Sequence, residues 1–159
     1  MIWTWPWRII LSGDCAGTLL SERFVTSDHR SQHAPKMENV TGIGGFFFRA
    51  SDPKALSDWY ERHLGVVRTP TSYDEQPWRQ ESGFTVFAPF AQDTKYFGRP
   101  NQQWMINFRV RDLDAMVTQL RRAGISVDVD PEVYPNGRFA RLQDPEGNPI
   151  QLWEAHTPD

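Results

Sequence analysis

The sequence predicts an α+β fold. Two copies of a β-α-β-β-β module are expected to join into a curved mixed sheet, a half-barrel around a cavity with the helices outside. Three observations predict it. Phe48-Arg49-Ala50-Ser51-Asp52 recurs as Phe108-Arg109-Val110-Arg111-Asp112, 60 positions later. Each copy of this pattern runs into an amphipathic stretch that stops at a glycine, Gly65 or Gly124. After each glycine the hydrophobic period falls from 3.6 to 2.

The elements follow in order. An apolar run, Ile43–Phe48, reads as the first strand. Asp52 is a natural N-cap, because its carboxylate accepts from the free amides of a first helical turn, and Pro53 suits the first helical position. Leu56, Trp59, Tyr60, His63 and Leu64 then share one helical face. Short alternating runs follow at Val66–Arg68, Trp78–Glu81 and Phe84–Phe87, the last two separated by Ser82-Gly83. In the second copy Trp104–Phe108 is the strand and Asp112 the cap. Leu113, Met116, Val117, Leu120 and Ala123 form the helical stripe. Arg121 and Arg122 complement the dipole of the last turn. Strands are expected at Ser126–Asp128, Arg138–Leu142 and Ile150–Trp153, bounded by Pro135-Asn136-Gly137 and Asp144-Pro145-Glu146-Gly147-Asn148. Turns of these compositions have a mechanism, since glycine supplies the positive φ.

Composition narrows the class. Aromatic residues make up 13% of 159 residues, with seven tryptophans, which a disordered chain lacks. Cys15 stands alone, so there is no disulfide scaffold, and a reducing, cytoplasmic setting is expected. The net charge is −3, with no basic stripe for a phosphate backbone, so nucleic acid is not an expected partner. No apolar run approaches the roughly 20 residues needed to span a bilayer, so no membrane partner is expected either. Residues 1–36 lack periodicity. The apolar start Ile2–Leu11 is interrupted by Pro6 and Arg8 and does not read as a signal peptide. These residues are expected to be a poorly ordered extension. The domain is expected over 37–159, with modules at about 40–97 and 102–156, and Met37 is a candidate natural start.

Leu142–Glu154, with its Asp-Pro-Glu-Gly-Asn turn, resembles the closing hairpin of the glyoxalase/bleomycin-resistance/extradiol-dioxygenase (vicinal oxygen chelate) superfamily. Asp58–Gly65 is similar to the end of that superfamily's first helix. The resemblance implies four metal-ligand positions, on the first and last strands of each module. Here the two first-strand positions are Gly45 and Met105, and the final-strand position is Gln151. Between Ser82 and Gln92 no carboxylate or imidazole occurs. Glycine donates nothing, and a thioether suits neither Fe(II) nor Zn(II) in such a site. No metal and no other cofactor is expected. His29, His33, His63 and His156 are scattered and read as structural or solvated. Asp128, Asp130 and Glu132 alternate without a calcium-type loop.

What remains is a cavity lining. Residues with the parity of Phe46, Phe48, Ile106, Phe108, Ile150 and Leu152 are expected beneath the helices. The opposite parity gives the candidate ligand-binding residues: Phe47, Arg49, Met105, Asn107, Arg109, Gln151 and Trp153. Arg49 and Arg109 either grip an anionic or oxygen-rich ligand or pair at the sheet rim with Asp52, Asp112 or Glu154. Trp78, Phe90, Tyr96 and Phe97, in or beside the long loops 69–77 and 91–103, are read as a lid or as a dimer contact.

The expected function is metal-independent binding of a small organic molecule, with no catalytic residue assigned. The resemblance also implies a homodimer with the ligand between subunits. The competing reading is a glyoxalase-type lyase or isomerase, or a dioxygenase-like metalloenzyme with unconventional ligands such as Glu154, Gln151 and His63. Metal-free acid–base work by Glu81 or Tyr134 is a further form of it.

Overall fold

The computed structural model describes residues 38–156, and from Gly45 onward these belong to one compact unit. The expected extension over 1–36 and the expected start at Met37 lie outside the described residues.

Helix α1 spans Pro53–Leu64, and its cap is the one expected: the Asp52 carboxylate accepts from the Ala55 amide at 3.0 Å. It closes at Gly65, whose φ of 69° is left-handed and whose amide returns to the Glu61 carbonyl. Strand β1, Ile106–Val110, leads into helix α2, Leu113–Arg122, capped by Asp112 at 2.8 Å from the Ala115 amide. Strands β2 (Asp128–Val129), β3 (Gly137–Gln143) and β4 (Pro149–Ala155) follow.

The sheet is four-stranded and mixed, in the order β1-β4-β3-β2. Strand β1 lies parallel to β4, which requires the long crossover that α2 supplies, while the other pairs are antiparallel. Before β3, Tyr134 and Gly137 exchange two backbone bonds of 3.0 Å around Pro135-Asn136. A Cβ on Gly137 would meet the Glu154 carbonyl oxygen at 2.1 Å, so this close approach demands glycine. The turn between β3 and β4 is held by Asp144. Its carboxylate accepts from the Glu146 and Asn148 amides, the Asn148 side chain and the Tyr60 hydroxyl.

Both helices pack on one sheet face. Leu56 and Tyr60 of α1 join Leu113, Val117 and Leu120 of α2 over Ala140, Leu142, Ile150 and Leu152. Leu113, Leu120, Ile150 and Leu152 are fully buried, and each such side chain contributes about 1.5–3 kcal/mol by leaving water. Carboxylates from the β4 region cap both helix starts. Glu146 accepts from the Ser51 and Asp52 amides, and Glu154 from the Leu113 amide.

The second copy therefore forms the whole strand–helix–three-strand unit. The first forms its helix only. Residues 43–48, 66–68, 78–81 and 84–87 make no sheet ladder among the described residues. Phe46 and Phe48 pack on Trp104, each at 5.0 Å between ring centroids, but Phe47, Phe84 and Phe87 are 93%, 74% and 89% exposed. The physical reason is local. A helix satisfies its own backbone, whereas a strand needs a neighbour in register. The described sheet is thus an open one of four strands, not the eight of two joined modules. Among the described residues no helix is long and apolar enough to cross a membrane.

Candidate functional site

The helix-free face of the sheet carries two rows of side chains, fixed by strand register. In one row Asn107, Gln151 and Arg141 lie side by side across β1, β4 and β3. In the next, Arg109, Trp153 and Phe139 do the same. Alternation on each strand sends Ile106, Phe108, Ile150, Leu152, Ala140 and Leu142 to the helices and these six away from them.

The first row is a hydrogen-bonded chain. Asn107 Nδ2 donates to Gln151 Oε1 at 2.8 Å, and Gln151 Nε2 donates to the Tyr96 hydroxyl at 2.7 Å. The Arg141 guanidinium stands 4.0 Å from the centre of the Tyr96 ring and donates to the Tyr96 carbonyl at 3.3 Å. Gln151 is only 4% exposed, so both ends of its amide need partners, and both have them. The second row is aromatic. Trp153 and Phe139 stack with rings 9° from parallel, Tyr134 abuts Phe139, and Trp153 Nε1 donates to the Asn136 carbonyl.

At the Arg141 end of the first row lies an open cleft of about 500 Å³, a size suited to a small organic molecule, and Asn107, Gln151, Arg109 and Trp153 are not among its walls. Trp59, Tyr96, Phe97, Met105, Arg141 and Ile150 are among its walls. Tyr96 and Phe97 come from the loop between the two copies, and Phe90 stacks on Tyr96 at 5.2 Å and 15°.

Of the residues singled out from sequence, the structure brings Asn107 and Gln151 into contact and sets Arg109 beside Trp153. Met105 lies in the cleft wall. Phe47 and Arg49 are exposed and join neither row. Arg109 does not pair with the expected carboxylates Asp52, Asp112 or Glu154. It donates to the Glu81 carbonyl at 2.7 Å, and Glu81 pairs with Arg111. Glu154 faces Arg138 instead. Trp78 lies away from the cleft wall, edge-on to Phe108 at 6.3 Å. Arg141 and Phe139 were not singled out, although the alternation of β3 contains the signal: they share one parity, and Ala140 and Leu142 the other.

The donor set does not fit a metal. Gly45 has no donor, Met105 offers only sulfur, and the Gln151 oxygen already accepts from Asn107. Among the described residues no three His, Cys, Asp or Glu side chains lie close enough to hold an ion. Asp130 accepts from the Glu132 amide and the Tyr134 hydroxyl, and the His63 ring packs against Trp59. Burial, and then the neighbouring Asp130, push the Tyr134 hydroxyl up to about 12, far from useful proton transfer at neutral pH.

Residues 45–153 match the family described as glyoxalase-like domain. No curated protein matches the chain significantly. Among solved structures, TnmS3, an antibiotic binding protein from Streptomyces sp. CB03234, is 22% identical. The match covers 76% of this chain and all of that one, with a TM-score of 0.52. A putative glyoxalase family protein from Bacillus anthracis is 21% identical over 65% of this chain and 84% of its own, at 0.43. TioX from Micromonospora sp. ML1 is 18% identical over 69% and 93%, at 0.39. The family match takes in α1, the four-stranded sheet and the closing hairpin as far as Trp153, and on that extent the chain belongs to the glyoxalase-like domain family.

Proposed function

We propose that this protein binds a small organic molecule on the helix-free face of its sheet, without a metal. One observation carries the reading. Gln151 stands where the resemblance calls for a metal-binding carboxylate, and its amide is held in place by Asn107 and Tyr96, with one N–H and one lone pair still to offer. The position is spent on hydrogen-bonded recognition, in which neutral amides orient a polar group of the ligand while aromatic walls cover its apolar part. That TnmS3 is an antibiotic binding protein supports an antibiotic-like ligand here. Met105, Asn107, Arg109, Gln151 and Trp153 are the proposed contacts.

Phe47 and Arg49 complete the proposed contact set from a second subunit. The side chains of Phe47, Phe84 and Phe87 cost free energy where they stand exposed, and a homodimer that pairs the first-copy strands would cover them and curl the sheet into the half-barrel. The lone Cys15 and the net charge of −3 support a cytoplasmic protein without a nucleic-acid partner.

A thermal-shift panel of small-molecule antibiotics tests the reading, with elemental analysis of the same preparation. At least one binder is expected, and Asn107→Ala and Gln151→Ala each weaken it about tenfold, the loss of one good hydrogen bond. Stoichiometric metal whose removal lowers the melting temperature would overturn the metal-free reading.

A further inference from the structure

Tyr96 sits in a place built for a ring that carries a hydroxyl. Its hydroxyl receives an N–H of the buried Gln151 amide, at 2.7 Å. Its ring lies 4.0 Å from the Arg141 guanidinium and is stacked 15° from parallel on Phe90. Gln151 and Arg141 are neighbours on β4 and β3, held by a register of seven residue pairs, so this half of the place is rigid. Tyr96 itself arrives on the 91–103 loop. That loop is organised by its own turns, with the Thr94 amide on the Ala91 carbonyl, the Gly98 amide on the Lys95 carbonyl, and the Tyr96 amide on the Thr94 hydroxyl. A rigid receptor face thus meets a locally folded loop at the Tyr96 side chain, beside the open cleft.

We infer that the Gln151–Arg141 face is a binding slot for a hydroxyaryl group, and that Tyr96 is its internal occupant, a plug which a phenolic ligand displaces. This rests on the small-molecule reading above and gives it a ligand class. The chemistry selects that class. A guanidinium favours an electron-rich ring, and a buried amide N–H left without an oxygen is costly, so an aryl group lacking the hydroxyl binds poorly. Since the plug must leave first, the slot binds more weakly in the natural protein than its contacts permit, by the fraction of time the plug is out.

The test refills the slot with p-cresol, the side chain of tyrosine, and compares toluene, which lacks only the hydroxyl. Tyr96→Ala in the full chain is expected to bind p-cresol about tenfold more tightly than the natural protein does, read by calorimetry and by thermal shift. It is expected to prefer p-cresol to toluene, and Gln151→Leu added to Tyr96→Ala abolishes the preference. Equal binding of the two probes by Tyr96→Ala, or equal p-cresol affinity of natural and variant proteins, overturns the proposal. Tyr96→Phe guards against a variant that fails to fold. It keeps the ring, loses the hydroxyl, and should speed amide exchange at residues 94–98 while tightening p-cresol binding. Unchanged exchange and affinity there also overturn the plug. The two readings fail separately. An antibiotic bound by the natural protein while p-cresol ignores Tyr96→Ala sinks the plug alone. A slot that fills with p-cresol while no antibiotic binds sinks the antibiotic reading and leaves the plug.

Discussion

The two copies of the repeat share a helix with the same cap and diverge in everything after it. In the second copy the strands after α2 complete a sheet, with Leu152 and Ile150 fully buried. In the first, residues 66–68, 78–81 and 84–87 make no ladder among the described residues, and Phe87 remains 89% exposed. Their alternation is similar, so hydrophobic pattern alone does not decide whether a strand forms. Partners decide it. The turns at Asn136-Gly137 and at Asp144–Asn148 bring β3 and β4 together within a few residues of their ends, and β1 is delivered to β4 by the crossover through α2. No comparable turn joins 66–68 to 78–81, which are separated by a loop rich in proline and charge.

The largest test of this contrast is a matched pair of truncations. Leu152→Ala removes a side chain with no exposed surface and is expected to cost about 2–5 kcal/mol in urea unfolding. Phe87→Ala, at a larger residue, is expected to cost under about 0.5 kcal/mol in a monomer, because the ring is already in water. A large, concentration-dependent cost at Phe87 would break the comparison as drawn. It would show that a second chain buries the ring, as the proposed homodimer requires.

The caps provide a smaller and opposite test, because here the copies should behave alike. Asp52 and Asp112 each accept from the amide three residues on, at 3.0 and 2.8 Å. Asp52→Ala and Asp112→Ala are each expected to cost about 1 kcal/mol, measured by thermal unfolding. A cost at Asp52 far below that at Asp112 would mean that α1, like the strands beside it, depends on something outside the chain.

Local features of the fold were legible for the same reason that they form. Caps, glycine stops and tight turns act within a few residues, so Asp52, Gly65, Asp112, Gly124 and Gly137 declare themselves in sequence. Strand parity was also legible, and it placed Asn107 and Gln151 on one face. Which strands find neighbours was not, since alternation specifies a face and is silent about an edge. The bond between Gln151 and Tyr96 spans 55 residues and depends on the path of a loop, for which no periodicity exists. Arg141 is not legible in sequence, because an arginine on a short strand reads as solvated until an aromatic ring is known to lie over it.

The smallest expected effect concerns the join between the copies, and pH reads it. Glu146, in the closing turn of the second copy, reaches the amides that precede α1 in the first. Hydrogen bonds from the Asp52 and Ser51 amides hold its carboxyl below the usual glutamate value, against desolvation and the nearby Asp52 charge. A group whose acidity is increased by folding stabilises the fold wherever it is ionised in both states, that is, above its ordinary value of 4.5. The contribution declines as pH falls below that value and is gone once the folded protein itself is protonated. Glu146→Gln keeps an acceptor but cannot titrate. The natural protein should therefore exceed the variant in melting temperature at pH 7, and the gap should close as pH is lowered below about 4.5. A gap that stays constant with pH would assign the join to packing around Tyr60 and Asp144, with the charge on Glu146 contributing nothing.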